Sequence, residues 1–181
     1  MSGRATRIVL PLFICALAFA AERPDIRLDV PFVKQEKDGC GAASIAMVIQ
    51  YWQRQQPGQP AIPSAEEIQR ALYSRRARGI YASDLEKYLQ QHGFQTFAIR
   101  GEWTDLQHHL EKGRPLIVAL KLGRDDLHYV VVTGLDLQKE IVLTHDPAGR
   151  KLQQQYRSDF ERQWQAAGNW TLLAVPAHAP E

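Results

Sequence analysis

The distribution of apolar and polar positions divides the chain into a helical first half and a strand-rich second half. Residues 41–52 are apolar nearly all round, carrying Ile45, Met47, Val48, Ile49, Tyr51 and Trp52. Such a segment predicts a helix buried inside a domain rather than laid on its surface. The polar stretch 53–60 reads as a loop. Ser64-Ala65-Glu66-Glu67 and Ser83-Asp84-Leu85-Glu86 each read as a capping box, in which hydroxyl and carboxylate satisfy free N–H groups at a helix start. The second of these helices carries Leu85 and Leu89 and stops at Gly93. Residues 94–99 predict a strand, and Thr104-Asp105-Leu106-Gln107 opens a capped helix that ends at Gly113.

After Pro115 the pattern becomes that of a sheet. Strands are expected over 116–122, 128–133 and 141–144, with 135–140 connecting the last two. A final capped helix begins at Ser158-Asp159-Phe160-Glu161, residues 170–175 form a closing strand, and the tail from Pro176 reads as loose. Helices first and mostly adjacent strands afterwards predict an α+β domain with an antiparallel sheet.

Composition narrows the class. With 181 residues, 45% hydrophobic and 23% charged, the chain suits one ordinary globular domain and excludes collagen-like, disordered and polytopic membrane proteins. The formal charge of +2 changes meaning at the N-terminus. Arg4 and Arg7 precede the apolar run 8–20, which closes on Ala18-Phe19-Ala20. A basic segment, a short apolar run and small residues at the cleavage site describe a secretory signal peptide over residues 1–20. The run is too short for the roughly 20 residues of a membrane-spanning helix. Retention as an anchor is the alternative to cleavage. Removing Arg4 and Arg7 leaves 20 basic against 20 acidic residues, and no basic excess remains to favour nucleic acid. The expected domain is residues 21–181, exported to a periplasm or secreted, with no membrane span once the signal is removed.

The signal also takes Cys15 with it, so the mature chain keeps Cys40 alone. A lone thiol in an oxidising compartment is either an inert core residue or one kept for chemistry. Its neighbours favour chemistry. Cys40 stands between Gly39 and Gly41 where a turn enters the buried helix, and a helix N-terminus favours thiolate over thiol. The flanking glycines let a substrate backbone come close. Gln35, five residues upstream, can aim its amide N–H at the same point. With the Cys40 backbone N–H it makes two donors for a developing oxyanion.

A thiol nucleophile needs a base, and the base an orienting group. Of six histidines, His92, His108 and His109 fall on helices or helix ends and His178 in the tail. His128 starts a strand at a sheet end, and His145 ends the next strand just before Asp146-Pro147-Ala148-Gly149. Neighbouring strands place Asp146 beside His128, whereas His145 should point to the opposite face. His128 is therefore preferred over His145 as base. The basic run Arg75, Arg76 and Arg78 reads as a solvated loop. No coherent zinc-ligand spacing is present, and neither a metal nor an organic cofactor is expected.

With these residues in place, the sequence resembles stand-alone peptidases of the C39 family, the papain-like group that includes bacteriocin-processing peptidases. The matching segments are Val30-Pro31-Phe32-Val33-Lys34-Gln35, Asp38-Gly39-Cys40-Gly41-Ala42-Ala43, His128-Tyr129-Val130-Val131-Val132 and Asp146-Pro147-Ala148-Gly149, within a core of about residues 28–175. The resemblance implies a papain-like fold whose helical half, with its buried cysteine-bearing helix, packs on a C-terminal antiparallel sheet. It implies Cys40 as nucleophile, His128 as general base and then acid, Asp146 as the group orienting His128, and Gln35 as oxyanion-hole donor. The implied reaction is amide cleavage through an acyl-thioester on Cys40. The best-known C39 domains are cytosolic, fused to ABC transporters, and cut after a Gly-Gly pair; this sequence has no P-loop and carries an export signal. The implied partners are a peptide or protein substrate, such as a secreted precursor of a bacterial cell, or export machinery. A peptide-binding accessory module with little turnover and a thiol-dependent transpeptidase remain open as alternatives.

Overall fold

Strand residues alternate between two hydrophobic cores on opposite faces of one antiparallel sheet. The computed structural model describes residues 25–56, 63–123 and 127–177; the expected signal segment 1–20 lies outside them. The elements in chain order are β1 (Ile26–Arg27), α1 (Cys40–Gln55), α2 (Ala65–Leu72), α3 (Ala82–Gln91), β2 (Phe94–Arg100), α4 (Trp103–Glu111), β3 (Leu116–Lys121), β4 (Leu127–Asp136), β5 (Ile141–His145), β6 (Gln153–Tyr156), α5 (Arg157–Ala166) and β7 (Trp170–Pro176). The sheet runs β2-β7-β3-β4-β5-β6, and β1 pairs with β4. Among the described residues no helix is long and apolar enough to cross a membrane.

On one face Ile117, Ala119, Tyr129, Val131, Leu172 and Ala174 meet Ala42, Ile45, Ala46 and Ile49 of α1, together with Leu85 and Leu89 of α3. On the other, Leu116, Val118, Val130, Val132 and Leu173 meet Leu106 and Leu110 of α4 and Phe160 and Trp164 of α5. The period of two along each strand produces this division. The sheet is covered by helices on both faces. Phe160 and Trp164 are fully buried, and truncating such a ring to alanine costs about 3–5 kcal/mol.

Helix starts differ from the sequence expectation in an instructive way. Ser64 forms the expected capping box, with its backbone N–H donating to Glu67 and its Oγ accepting from the Glu67 N–H. The helix assigned to Ser83 begins instead at Ala82, capped by Tyr81, with buried Ile80 seated just before it. The next begins at Trp103 rather than Thr104, where the Arg157 guanidinium lies 4.2 Å above the Trp103 ring. The last begins at Arg157, ahead of Ser158, and Arg157 bonds Glu161 one turn on. No hydroxyl caps these three starts; at α4 the Asp105 carboxylate accepts the Glu102 N–H at 2.8 Å.

Strand limits differ as well. β4 continues through Gly134 to Asp136 because these residues pair with β5 and, in part, with β1. Residues 135–140 were expected as a connection, and neither β1 nor β6 was expected as a strand. Pro176 belongs to β7, and the Ala177 N–H donates to the Gly93 carbonyl at 2.8 Å. The tail therefore stays attached two residues further than expected. The polar stretch expected as a loop from residue 53 is still helical through Gln55.

β1 continues the line of β3. Beyond Leu116, where β3 begins opposite Val132, β1 takes its place beside Gly134 and Leu135. The approach is close enough that a Cβ on Gly134 would lie 2.2 Å from the Ile26 carbonyl oxygen. From there residues 28–35 run across the end of the sheet towards α1.

Candidate active site

Cys40 is the first residue of α1, with Gly39 as its cap, and is half-buried as a free thiol. The turn before it is held from outside. The Gly39 N–H donates to the Glu36 carbonyl at 3.0 Å, and Asp38 adopts φ 56°, in the left-handed region. From α2, Gln69 Nε2 donates to the Lys37 carbonyl at 2.7 Å. The Tyr73 hydroxyl, just past that helix, donates to Asp38 Oδ2 at 3.3 Å. A Cβ on Gly39 would fall 2.4 Å from Gln69 Oε1. Sequence reasoning did not single out Gln69 or Tyr73, because a polar residue on an exposed helix carries no local sign of the loop it grips.

His128, the second residue of β4, is 9% exposed. Its Nε2 lies 2.6 Å from Asp146 Oδ1, and its ring also hydrogen-bonds the Cys40 side chain. With Nε2 engaged by the carboxylate, Nδ1 is the nitrogen left for the sulfur. Burial disfavours the charged ring, but the hydrogen bonds and negative charges of Asp146 and Cys40 outweigh it and raise the His128 pKa to about 9. Asp146 is fixed in turn: its Oδ1 accepts from the Ala148 and Gly149 N–H groups at 2.9 and 3.2 Å. Burial raises its pKa, yet the hydrogen bond and charge of His128 and these two amides hold it below the usual carboxylate value. Tyr129 lies on the same side as the thiol. Burial, and after it the charge of Cys40, push its phenol up to about 12, so it stays neutral.

Strand parity explains why Asp146, and not His145, meets His128. His145 pairs with Val131, so Asp146 and His128 fall on the alternate positions. His145 is completely buried. It donates from Nε2 to the Val30 carbonyl at 2.8 Å and accepts at Nδ1 from the Leu152 N–H at 3.2 Å. Burial holds its pKa below the ordinary value against its backbone bonds to Val30 and Thr144.

Gln35 lies on the segment that crosses the sheet end. Its backbone N–H donates to the Pro147 carbonyl at 3.0 Å, adjacent to Asp146. Its Oε1 is buried without a hydrogen-bond partner among the described residues. The remaining histidines stand apart. His92 caps α3, with Nδ1 2.7 Å from the Tyr88 carbonyl, and His108 and His109 lie in the last turn of α4. His178 lies outside the described residues. Arg75, Arg76 and Arg78 are exposed in the turn closed by the Ser74–Gly79 bridge. Among the described residues no group of His, Cys, Asp and Glu side chains has the arrangement of a metal site.

The site thus holds a half-buried thiol at a helix start, an imidazole bonded to it, and a carboxylate bonded to that imidazole. Comparison with solved structures finds the same fold. A C39-like peptidase from Bacillus anthracis is 17% identical with a TM-score of 0.69, over 84% of this chain and 98% of that one. The double glycine motif protease of an AMS/PCAT transporter, solved with its leader peptide, is 23% identical with a TM-score of 0.62, over 83% and 94%. The peptidase domain of the Streptococcus ABC transporter ComA is 20% identical with a TM-score of 0.61, over 80% and 97%. Comparison with curated proteins finds no match. The Peptidase_C39 like family matches residues 27–172. The chain therefore belongs to the Peptidase_C39 like family and is a cysteine peptidase of papain-like fold.

Proposed function

We propose that the chain is an exported peptidase that cuts a peptide or protein amide bond through an acyl-thioester on Cys40. The observation that carries this reading is the hydrogen-bonded series from Asp146 through His128 to Cys40. With a pKa of about 9, His128 is protonated at neutral pH and faces the sulfur as an imidazolium, whose charge favours attack by the thiolate form. As sulfur bonds to the scissile carbonyl carbon, the carbonyl oxygen gains negative charge. The Cys40 backbone N–H and the Gln35 amide receive that charge. His128 then gives its proton to the departing amine, and the C–N bond breaks. A water enters, His128 removes its proton, and collapse of the second tetrahedral adduct releases acid product and thiolate.

Asp146 serves by fixing the ring and stabilising its charge. The buried Gln35 Oε1 supports the assignment of the amide N–H₂ as the end offered to substrate. The basic, apolar and small-residue pattern of residues 1–20 supports action beyond the inner membrane of a bacterial cell. The substrate would then be a secreted precursor.

Alkylation of Cys40 by iodoacetamide across pH tests the site. Rapid labelling well below the ordinary thiol pKa of about 8.5, slowed at least tenfold by His128→Ala, is expected. Slow labelling in both proteins, rising only in alkali, would overturn it. Uncut precursors in the envelope of cells carrying Cys40→Ala would identify the substrate. An intact peptide profile with impaired secretion would indicate a binding module instead.

A further inference from the structure

His145 is completely buried and has no step in the reaction above, yet it joins two segments which that reaction needs in register. We propose that His145 is a positioning residue that clamps the segment bearing Gln35 to the β5–β6 hairpin bearing Asp146, and so sets the oxyanion donor. The proposal rests on the cysteine-peptidase reading of the site.

The two bonds of the ring fix one tautomer. A carbonyl 2.8 Å from Nε2 requires a proton there, and an N–H 3.2 Å from Nδ1 requires a lone pair. The neutral imidazole thus spans from Val30, in the crossing segment, to Leu152, in the hairpin. Phe32 packs its ring edge-on against it at 5.7 Å. Other ties between the same segments are weaker or lie further along. The Asp29–Lys151 pair, at 4.0 Å, is 86% and 51% exposed and adds little. The Gln35–Pro147 backbone bond lies at the catalytic end and depends on the segment being seated behind it.

A second proton on the ring would turn an Nδ1–H towards the Leu152 N–H and remove that bond. Lys151 on the hairpin opposes this proton and Asp29 on the segment favours it, but Arg54 of α1, 3.8 Å from Asp29, offsets part of the attraction. Asp146, next along the chain, is committed to His128. Acid therefore leaves the bond to Val30 in place but frees the ring from the Leu152 turn that orients it towards Val30, after charging this imidazole against its burial.

Two reactions of the full chain separate positioning from general damage. Acylation of Cys40 by p-nitrophenyl acetate develops an oxyanion, whereas alkylation by iodoacetamide does not. His145→Leu should lower acylation at least fivefold more than alkylation, and His145→Gln, which keeps a donor for Val30, should recover part of the loss. In the wild type the acylation-to-alkylation ratio should fall on acidification, and this fall should be absent from His145→Gln. Parallel loss of both reactions, or no change in the ratio, would overturn the proposal. If His145→Leu does not fold, the acid comparison between wild type and His145→Gln decides alone. Wild-type alkylation indifferent to His128→Ala is a different outcome: it removes the site itself, and this proposal with it.

Discussion

His128 Nε2 and Asp146 Oδ1 lie 2.6 Å apart across neighbouring segments of the sheet, and the same carboxylate oxygen accepts the N–H groups of Ala148 and Gly149. The carboxylate is thus fixed before it meets the ring. Its orientation is inherited from a turn rather than from the side chain's own freedom.

This pairing links stability to pH. The pKa of His128 is raised from 6.5 to about 9, so its contribution is complete below 6.5 and is lost as pH rises through 9. Asp146 is shifted downward, so its contribution is present above its ordinary value near 3.8 and is lost as pH falls through the lowered one. The shift of His128 corresponds to on the order of 3 kcal/mol. Asp146→Asn should flatten the alkaline decline of the melting temperature between pH 6.5 and 9.5. An unchanged decline would show that Asp146 does not hold the His128 proton.

Gln35→Ala should slow acylation by about 10²–10³, the usual loss for one oxyanion donor. Iodoacetamide alkylation should be retained to a much greater extent. Rates with p-nitrophenyl acetate and iodoacetamide on the same preparation provide the check, and equal losses would argue against an oxyanion role.

Gly134→Ala should destabilise the fold by about 1–3 kcal/mol. Its Cβ would meet the Ile26 carbonyl oxygen at 2.2 Å and the Arg27 Cα at 3.2 Å, and both belong to backbone that must move as a unit. Urea unfolding measures the cost. Acylation should fall more than alkylation, because β1 leads directly into the Gln35 segment.

Gly39→Ala should disturb the turn that presents Cys40, through the 2.4 Å approach to Gln69 Oε1 and 3.0 Å to the Glu36 carbonyl. Gln69→Ala removes the first obstacle and also the bond to Lys37. The double variant should then be less impaired in Cys40 alkylation than the sum of the single losses. Strict additivity in the double-mutant cycle would show that Gln69 and the turn are not coupled.

The parts of the architecture legible in sequence were those where local pattern and burial agree. The largely apolar α1, the Leu85–Leu89 pair and the apolar runs of β3, β4 and β5 read correctly, because the same residues that favour each element also enter a core. The starts of α3, α4 and α5 did not, since none of them carries a hydroxyl cap and the stacking of Arg157 on Trp103 joins two helices far apart in sequence. β6, Gln153–Tyr156, has no apolar alternation and exists because β5 supplies its pairing partner. At the site, the sequence order of Gln35, Cys40, His128 and Asp146 was readable. The grip of Gln69 on the turn before Cys40 was not, nor were the two hydrogen bonds of His145, because both depend on which loops meet.

The placement of β7 has a consequence for biosynthesis. The Val30–His145 bond spans 115 residues, and that from Trp52 Nε1 to the Ala174 carbonyl spans 122. β7 lies between β2 and β3, so the sheet cannot close until the C-terminal strand has been made. A nascent chain therefore carries its thiol long before it acquires the imidazole, the carboxylate and a seated oxyanion donor. On the proposed function, proteolytic competence is expected to arrive only with the last strand.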